Sequence, residues 1–124
     1  MFYFLTCLIL TTGLEFYQIM LFQKIYNIVR FIPEGKVLTY KAIASHLGLK
    51  DIRLIGYALH GNPDTDNIPC HRVVKSDGSL AKGFAYGGPG IQKQLLQQEK
   101  VDFDNEGKIN LLKYLWEIPK EQSS

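Results

Sequence analysis

The residue in this sequence most suited to act as a reactive group is Cys70, which lies between Pro69 and His71 shortly after a polar loop. The thiolate is the nucleophilic form of cysteine, and an unperturbed thiol is largely protonated at neutral pH. The imidazole of His71 and the nearby Arg72 would favour the thiolate. Adjacent residues of a strand point to opposite sides, so Cys70 and His71 interact only if the backbone turns there. The segment predicts a nucleophilic cysteine, with a buried packing cysteine as the alternative.

Glu99 is the carboxylate that the sequence offers to such a pair. Gln92, Leu95, Leu96 and Glu99 fall on one face of a helix, so Glu99 is expected on the core side, where a charge needs a partner. A histidine that contacts the thiol and is oriented by a carboxylate completes a nucleophile, base and orienting group. The alternative is a solvated glutamate at a frayed helix end.

The remaining cysteine and histidines do not indicate a metal site. Neither Cys7 nor Cys70 lies in a Cys-x-x-Cys motif, and two thiols are not a disulfide framework. A reduced, cytoplasmic location is therefore expected. His46 has no motif around it, and no histidine pair has the spacing of metal ligands. No metal and no cofactor is predicted.

Three helices are expected to precede this segment. Apolar residues at helical spacing predict a helix over Phe22–Phe31, ended by the following Pro33 and Gly35. Thr39 is a good N-cap for a helix over Tyr40–Leu47, and Gly48 is a typical stop. A second short helix is expected over about 51–60, with Arg53, Tyr57 and His60 on the face away from its apolar residues. Two short helices joined by a glycine-containing turn make a helix-turn-helix.

The rest of the chain predicts a small wing and a closing helix. Residues 61–67 form a polar loop. The turn Lys75–Gly78 is flanked by Arg72-Val73-Val74 and Ser79-Leu80, which suggests a hairpin or wing. Gly83–Gly90 holds four glycines and should be a flexible loop; its resemblance to a phosphate-binding loop is weak. Pro89 suits the first turn of a helix that runs to about Glu99. Leu111–Trp116 closes the domain. The fold expected is an α/β, winged-helix-like helix-turn-helix domain with a small β wing.

Length and composition suit one compact globular domain and exclude a disordered or fibrous chain. The 124 residues are 46% hydrophobic and 21% charged, with a net charge of +2. Residues 22–98 carry ten Lys or Arg against five Asp or Glu, so this part is basic and can meet phosphates. Residues 1–19 are mostly apolar but too short for a membrane span, and they lack a signal peptide's features. They are an extra helix, a membrane-surface anchor or an extension upstream of a functional start at Met20; the last is preferred, which gives a domain of residues 20–124.

The segment Ile68-Pro69-Cys70-His71-Arg72-Val73-Val74 resembles the active-site motif of the O6-alkylguanine-DNA alkyltransferases, the methylated-DNA–protein-cysteine methyltransferases. The resemblance covers about Phe22–Trp116. Other motifs stand at the family's positions: Ile32-Pro33-x-Gly35, Thr39-Tyr40, Arg53-x-x-Gly56, Asn62-Pro63, Gly87-Gly88 and Leu95-Leu96-x-x-Glu99. The ending Ile109–Trp116 is similar to that of the short alkyltransferase-like proteins.

The resemblance implies a role for each matching residue. Cys70 would accept the alkyl group, His71 linked through water to Glu99 would promote the thiolate, and Asn62 would brace the turn that presents Cys70. Arg53 would fill the gap left by a flipped base. The other residues implied to contact DNA or the base are Tyr40, Arg72, Val73, Tyr86, Thr39 and Gly56, with His60 on the side facing DNA. The loop Gly83–Gly88 would close around the guanine.

The expected activity is single-turnover transfer of an alkyl group from flipped O6-alkylguanine in double-stranded DNA to Cys70. The protein is expected to be a monomer and not to bind membranes. The short alkyltransferase-like proteins usually have Trp where this chain has Cys70, so a lesion sensor without transfer is one alternative. An ordinary winged-helix regulator, with Cys70 as a packing residue, is another. Lys100 stands where the family usually has Gly, and the loop from Gly83 to Tyr86 departs from the usual short form. These departures bear on the pocket's shape and the preferred alkyl group.

Overall fold

The computed structural model describes residues 13–120. The first helix in this part of the chain is longer than its apolar pattern indicates. Helix α1 spans Gly13–Val29, 17 residues, whereas the pattern predicted Phe22–Phe31. Its buried side chains begin at Leu21, and every residue from 13 to 20 is exposed. The pattern of burial therefore marks only the packed half of the helix, because a formed helix extends without further burial. The interpretations of residues 1–19 fall partly outside the described residues, at positions 1–12.

The helix-turn-helix forms as predicted, from α2 (Tyr40–His46) and α3 (Arg53–His60). The Thr39 hydroxyl accepts a hydrogen bond from Ala42 N at 3.0 Å, which caps α2. Gly48 follows α2 with φ +71°, a left-handed conformation that glycine adopts without strain. The side chains of Ile43 and Ile55, one from each helix, are fully buried and hold the pair against the core.

A two-stranded parallel sheet fixes the segment that carries Cys70. Strand β1 (Leu38–Thr39) pairs with strand β2 (Val73–Val74) in the register Leu38 to Val73 and Thr39 to Val74. The sequence pattern instead predicted a hairpin or wing between Arg72-Val73-Val74 and Ser79-Leu80. A tight turn does form there, with Lys75 N donating to Ser79 O at 2.9 Å, but no second strand follows it. The small wing is thus a turn, and the partner of β2 comes from far away in the chain.

Within residues 13–120, two further α-helices follow: α4 (Gly88–Gln98) and the short α5 (Leu111–Tyr114). The backbone of Val37 is held on both sides by the closing segment, since Val37 N donates to Tyr114 O and Trp116 N donates to Val37 O. One core cluster lies under α1, α2 and α3; a smaller one forms around Val74 and Leu96. The α/β, winged-helix-like helix-turn-helix class is confirmed. None of the helices within residues 13–120 is both long and apolar enough to span a bilayer.

Candidate active site

Cys70 opens a short 3-10 helix over Cys70–Arg72, so the backbone does turn at this point. The turn is closed by Arg72 N donating to Pro69 O at 2.9 Å, and Val73 N donates to Cys70 O. The Cys70 side chain is buried, with 6% of the residue exposed. The turn therefore places Cys70 before the strand that follows, at a position where it lines two cavities.

Asn62 joins the end of α3 to the segment before Cys70. Its Nδ2 donates to Ile68 O at 2.8 Å, and its Oδ1 accepts from Asp64 N at 2.9 Å. The side chain is buried, so both bonds are shielded from water. The same amide hydrogen-bonds the Cys70 thiol. Asn62 thus ties the polar loop, the helix-turn-helix and the thiol together.

Burial raises the pKa of the Cys70 thiol above its ordinary value, although hydrogen bonds from Asn62 and from the backbone of Cys70 and His71 oppose the shift. The thiol is therefore protonated at neutral pH. The sequence led us to expect that His71 and Arg72 would favour the thiolate. In this structure both side chains are directed to Glu99, and desolvation of the thiol dominates.

Glu99 is the centre of a charged cluster at the end of α4. His71 Nε2 lies 2.8 Å from Glu99 Oε2, and Arg72 binds both carboxylate oxygens, with Nη2 to Oε2 at 2.7 Å and Nε to Oε1 at 2.9 Å. The Glu99 side chain is only 11% exposed, so the solvated alternative is wrong. Burial alone would raise the pKa of the carboxyl, but hydrogen bonds from Arg72 and His71 outweigh it and hold that pKa below its ordinary value.

The direct contact with Glu99 determines what His71 can do. A neutral imidazole that donates Nε2–H to a carboxylate carries its lone pair on Nδ1. Nδ1 is then the ring nitrogen that can accept a proton. The resemblance implied a water between His71 and Glu99, whereas here the two side chains are in direct contact. The pair therefore has the arrangement of a base and its orienting group.

Arg72 is engaged inside the domain. Besides its two-point contact with Glu99, its Nη1 donates to Ile32 O at 2.7 Å, and the side chain is 15% exposed. A direct contact between Arg72 and DNA, which the resemblance implied, is not expected from this geometry. Its guanidinium instead links the turn after Cys70 to the end of α4 and to the segment after α1.

Cys70 lines a cavity of about 190 Å³ that opens beside the helix-turn-helix. Burial, and then the proximity of Cys70, raise the pKa of Tyr40, so its hydroxyl keeps its proton and can donate. A Cβ at Gly56 would meet no atom of the chain within 4 Å, so packing does not require glycine there, and its absent side chain leaves the mouth open. The other lining residues are Leu59, His60, Ala81, Gly83, Phe84 and Ala85.

Tyr86 closes the far side of the site. Its hydroxyl donates to Asn62 O at 2.7 Å and lies 3.3 Å from His60 O, which pins the glycine-rich loop to the end of α3. The ring packs edge-to-face on Phe84 with 5.8 Å between centroids. A second cavity of about 210 Å³ lies beside it and also reaches Cys70; its other lining residues are Thr65, His71, Phe84 and Leu95.

The remaining predicted contacts divide into exposed and buried residues. Arg53 is 75% exposed at the start of α3, where Asp51 holds its guanidinium through Nε and Nη2, both at 3.0 Å. Thr39 is buried, and its hydroxyl caps α2. Val73 is fully buried, with its N–H bonded to Cys70 O and its carbonyl accepting from Gln92. Thr39 and Val73 therefore support the site, and direct contacts with DNA by these groups are not expected.

Gln92 is a site residue that sequence reasoning did not single out. It is 1% exposed, and its Nε2 donates to His71 O at 3.0 Å and to Val73 O at 3.1 Å. Its Oε1 is buried without a hydrogen-bond partner in residues 13–120. The available signal was a polar side chain on the same helix face as Leu96, since a buried amide must find partners.

Residues 20–101 match the family model of the 6-O-methylguanine DNA methyltransferase DNA-binding domain. The alkyltransferase-like protein 1 of Schizosaccharomyces pombe is 38% identical over 77% of this chain and 93% of its own length. A methylated-DNA–protein-cysteine methyltransferase of Methanothermobacter thermautotrophicus is 38% identical over 68% of this chain, but the chain spans only 46% of that relative. A bifunctional methyltransferase/endonuclease of Picrophilus torridus is 40% identical, and 31% of its length is spanned.

Solved structures agree with the sequence comparison. The S. pombe alkyltransferase-like protein in complex with damaged DNA containing O6-carboxymethylguanine superposes with a TM-score of 0.67 at 35% identity, covering 77% of this chain and 94% of that one. The O6-methylguanine-DNA methyltransferase of Pyrococcus kodakaraensis gives a TM-score of 0.57 at 33% identity, covering 65% and 46%. This chain belongs to the family defined by the DNA-binding domain of 6-O-methylguanine DNA methyltransferase.

Proposed function

We propose that the chain binds duplex DNA at O6-alkylguanine, takes the flipped base into the cavity beside Cys70 and transfers the alkyl group to the Cys70 sulfur. The observation that carries this proposal is the placement of a buried cysteine on the wall of an open cavity, in the same short 3-10 helix as His71, which contacts Glu99. An alkyl carbon on guanine O6 is hidden in stacked DNA, so the base must leave the stack to reach a buried thiol.

The transfer is a displacement at the alkyl carbon. The sulfur lone pair forms the C–S bond as the bond between that carbon and guanine O6 breaks, and the bonding electrons leave with the guanine. The thiol proton passes to His71 Nδ1, and the imidazolium then returns a proton through solvent to the departing guanine anion, so charge and atoms balance. The Tyr40 hydroxyl, which keeps its proton, donates a hydrogen bond to the base. The product thioether is stable, so each molecule acts once and needs no cofactor.

The raised pKa of the thiol keeps the reactivity of Cys70 low until the alkylated guanine occupies the cavity. A protonated thiol is a poor nucleophile toward adventitious electrophiles. When the lesion fills the cavity, it excludes water and places the alkyl carbon against the sulfur. Deprotonation of the thiol and attack of the sulfur on the alkyl carbon then occur together. The direct Glu99 contact stabilises the imidazolium that forms at His71.

The test is an intact-mass measurement after incubation with a duplex that contains O6-methylguanine. The wild-type chain should gain one methyl group, located on the Cys70 peptide, and Cys70→Ala should gain none. An undamaged duplex of the same sequence is the control for both proteins. An unchanged mass under excess lesion DNA would overturn alkyl transfer.

A second candidate function, recognition of the lesion without transfer, is favoured by one comparison. The chain matches the S. pombe alkyltransferase-like protein over 93% of that protein's length. A lesion sensor would bind O6-methylguanine duplex more tightly than undamaged duplex, and Cys70→Ala would bind as tightly as wild type, with no methyl gained. Preference for one undamaged sequence, indifferent to alkylation, would instead indicate an ordinary winged-helix regulator.

A further inference from the structure

Tyr57 is a large aromatic residue on the exposed face of α3, with 58% of its surface accessible. Its helix neighbours Ile55, Ala58 and Leu59 are all buried, so the exposure of Tyr57 follows from its place on the helix and not from a lack of packing around α3. A tyrosine presents an apolar ring with a polar hydroxyl, a combination that is enriched at interfaces.

The helix geometry places Tyr57 and the cavity on opposite sides of Arg53. At about 100° per residue, Gly56 projects roughly 60° to one side of Arg53 and Tyr57 roughly 40° to the other. Gly56 and His60 line the cavity beside Cys70, whereas Arg53 and Tyr57 do not. The base that enters this cavity therefore crosses the Gly56 side of α3, and Tyr57 faces the DNA on the far side of Arg53.

We infer that Tyr57 packs against the bases beside the vacated position, on the side of Arg53 away from the cavity, and so props the distorted duplex open. This inference rests on the proposed binding of an O6-alkylguanine duplex. Side chains that enter the minor groove can wedge between base steps, and an aromatic ring provides a face for an unstacked base. Tyr57, next to Arg53 on the surface of α3, covers the apolar base surface that the flip exposes.

Chemistry favours stacking over a hydrogen bond as the role of Tyr57. A base presents the same aromatic face in every sequence, so a stacking contact suits a protein that recognises a lesion and not a sequence. Arg53 and Tyr57 are four residues apart on α3, which makes their side chains neighbours on the helix surface. A duplex that binds this face of α3 would therefore meet both.

The test compares Tyr57→Ala and Tyr57→Phe with wild type on a duplex containing one O6-methylguanine. A 2-aminopurine placed in the opposite strand, next to the lesion's partner, reports unstacking through its fluorescence. We expect Tyr57→Ala to bind this duplex roughly tenfold more weakly and to lose most of the fluorescence rise, as for the loss of one base–aromatic contact. Tyr57→Phe should stay within about twofold of wild type. The matched control is Phe31→Ala, an aromatic residue of similar exposure outside the helix-turn-helix.

Free O6-methylguanine separates propping from a general loss of fold. Transfer from the free base should be unchanged in Tyr57→Ala, because no duplex has to be held open. Any of three outcomes would overturn the inference. Tyr57→Ala could bind the duplex and raise the fluorescence as wild type does, it could lose transfer equally on duplex and free base, or Tyr57→Phe could bind as weakly as Tyr57→Ala. If wild type transfers no alkyl group at all, the proposed transfer fails, yet binding and 2-aminopurine fluorescence still decide the role of Tyr57.

Discussion

Gln92 of α4 and Glu99, the residue that caps the end of this helix, both hold the turn that follows Cys70. Gln92 holds its main chain, and Glu99 holds its side chains. Gln92 donates to the carbonyls of His71 and Val73, while Glu99 contacts the side chains of His71 and Arg72. A single helix therefore sets both the backbone path after Cys70 and the direction of the imidazole. Changes at the two residues should have different signatures.

Glu99→Gln should slow alkyl transfer while leaving DNA affinity nearly unchanged, because the Glu99 side chain is buried and does not line the cavity beside Cys70. Loss of charge-assisted hydrogen bonds should lower the free energy of unfolding by about 1–3 kcal/mol at neutral pH. The folded-state pKa of Glu99 is lowered, so its stabilisation is present above the unfolded pKa and is lost as pH falls through the folded pKa. The stability difference from wild type should therefore shrink on acidification below about pH 4. Urea unfolding at several pH values measures this stability difference, and the exposed Glu106→Gln is the control. Equal rates of alkyl transfer in Glu99→Gln and wild type would show that Glu99 is not part of the site.

Gln92→Glu should damage the turn more at high pH than at low pH. A carboxylate at this position faces two carbonyl oxygens without a proton to donate, whereas a protonated carboxyl can satisfy one of them. The free energy of unfolding should fall by about 1–3 kcal/mol, with slower transfer that partly recovers as pH is lowered. Gln94→Glu, exposed on the same helix, is the matched control. A Gln92→Glu protein with the pH profile of wild type would show that the turn does not depend on these bonds.

Cys70 should react slowly with iodoacetamide at neutral pH, because burial raises its pKa. The rate should rise only as the pH passes the ordinary thiol value of about 8.5. The stabilisation that belongs to the neutral thiol is full below the unfolded pKa and is lost as pH rises through the higher folded pKa. Peptide mass mapping of Cys70 in native and urea-unfolded protein gives both profiles. A native thiol that titrates at or below the unfolded one would contradict the expected shift.

Tyr86→Phe should make Cys70 more accessible. The variant keeps the ring against Phe84 but loses the hydroxyl that donates to Asn62 O and approaches His60 O. One hydrogen bond contributes about 0.5–1.5 kcal/mol, so the rate of Cys70 modification should rise about two- to tenfold. Tyr17→Phe, an exposed tyrosine of α1, is the control. An unchanged rate would show that the loop is held closed by its other contacts.

Arg53→Ala should slow transfer from duplex DNA much more than transfer from free O6-methylguanine, if Arg53 fills the space that the base leaves. If Arg53 only touches phosphate, its loss should weaken binding evenly across sequences and lower the salt dependence by about one contact. The exposed Arg30→Ala is the control for a lost surface charge, and Asp51→Asn tests whether release from Asp51 assists Arg53. Equal losses on both substrates, or no loss on duplex, would show that Arg53 does not fill the gap.

The parts of the fold that local patterns specify could be predicted from the sequence. Thr39 and Gly48 delimit α2 through a cap and a left-handed turn, both of which depend on neighbouring residues alone. The pairing of β2 with β1 and the engagement of Arg72 by Ile32 O depend instead on residues far apart in the chain, which no local pattern encodes. The helical spacing placed Glu99 toward the core, but its sharing between His71 and Arg72 follows only from the turn at Cys70.

The contacts of Arg72 also bear on when the site exists during folding. Through Ile32 O and Glu99, this one guanidinium joins segments 40 and 27 residues away in the chain. Such non-local contacts form late and open as a cooperative unit, so unwinding of the last turn of α4 would release His71 and Arg72 at once. Hydrogen exchange at Glu99 N and Val101 N, which both donate to Leu96 O, would then report the lifetime of the assembled site. A nascent chain that has not yet produced α4 and Glu99 would therefore carry Cys70 and His71 without the carboxylate that orients the imidazole.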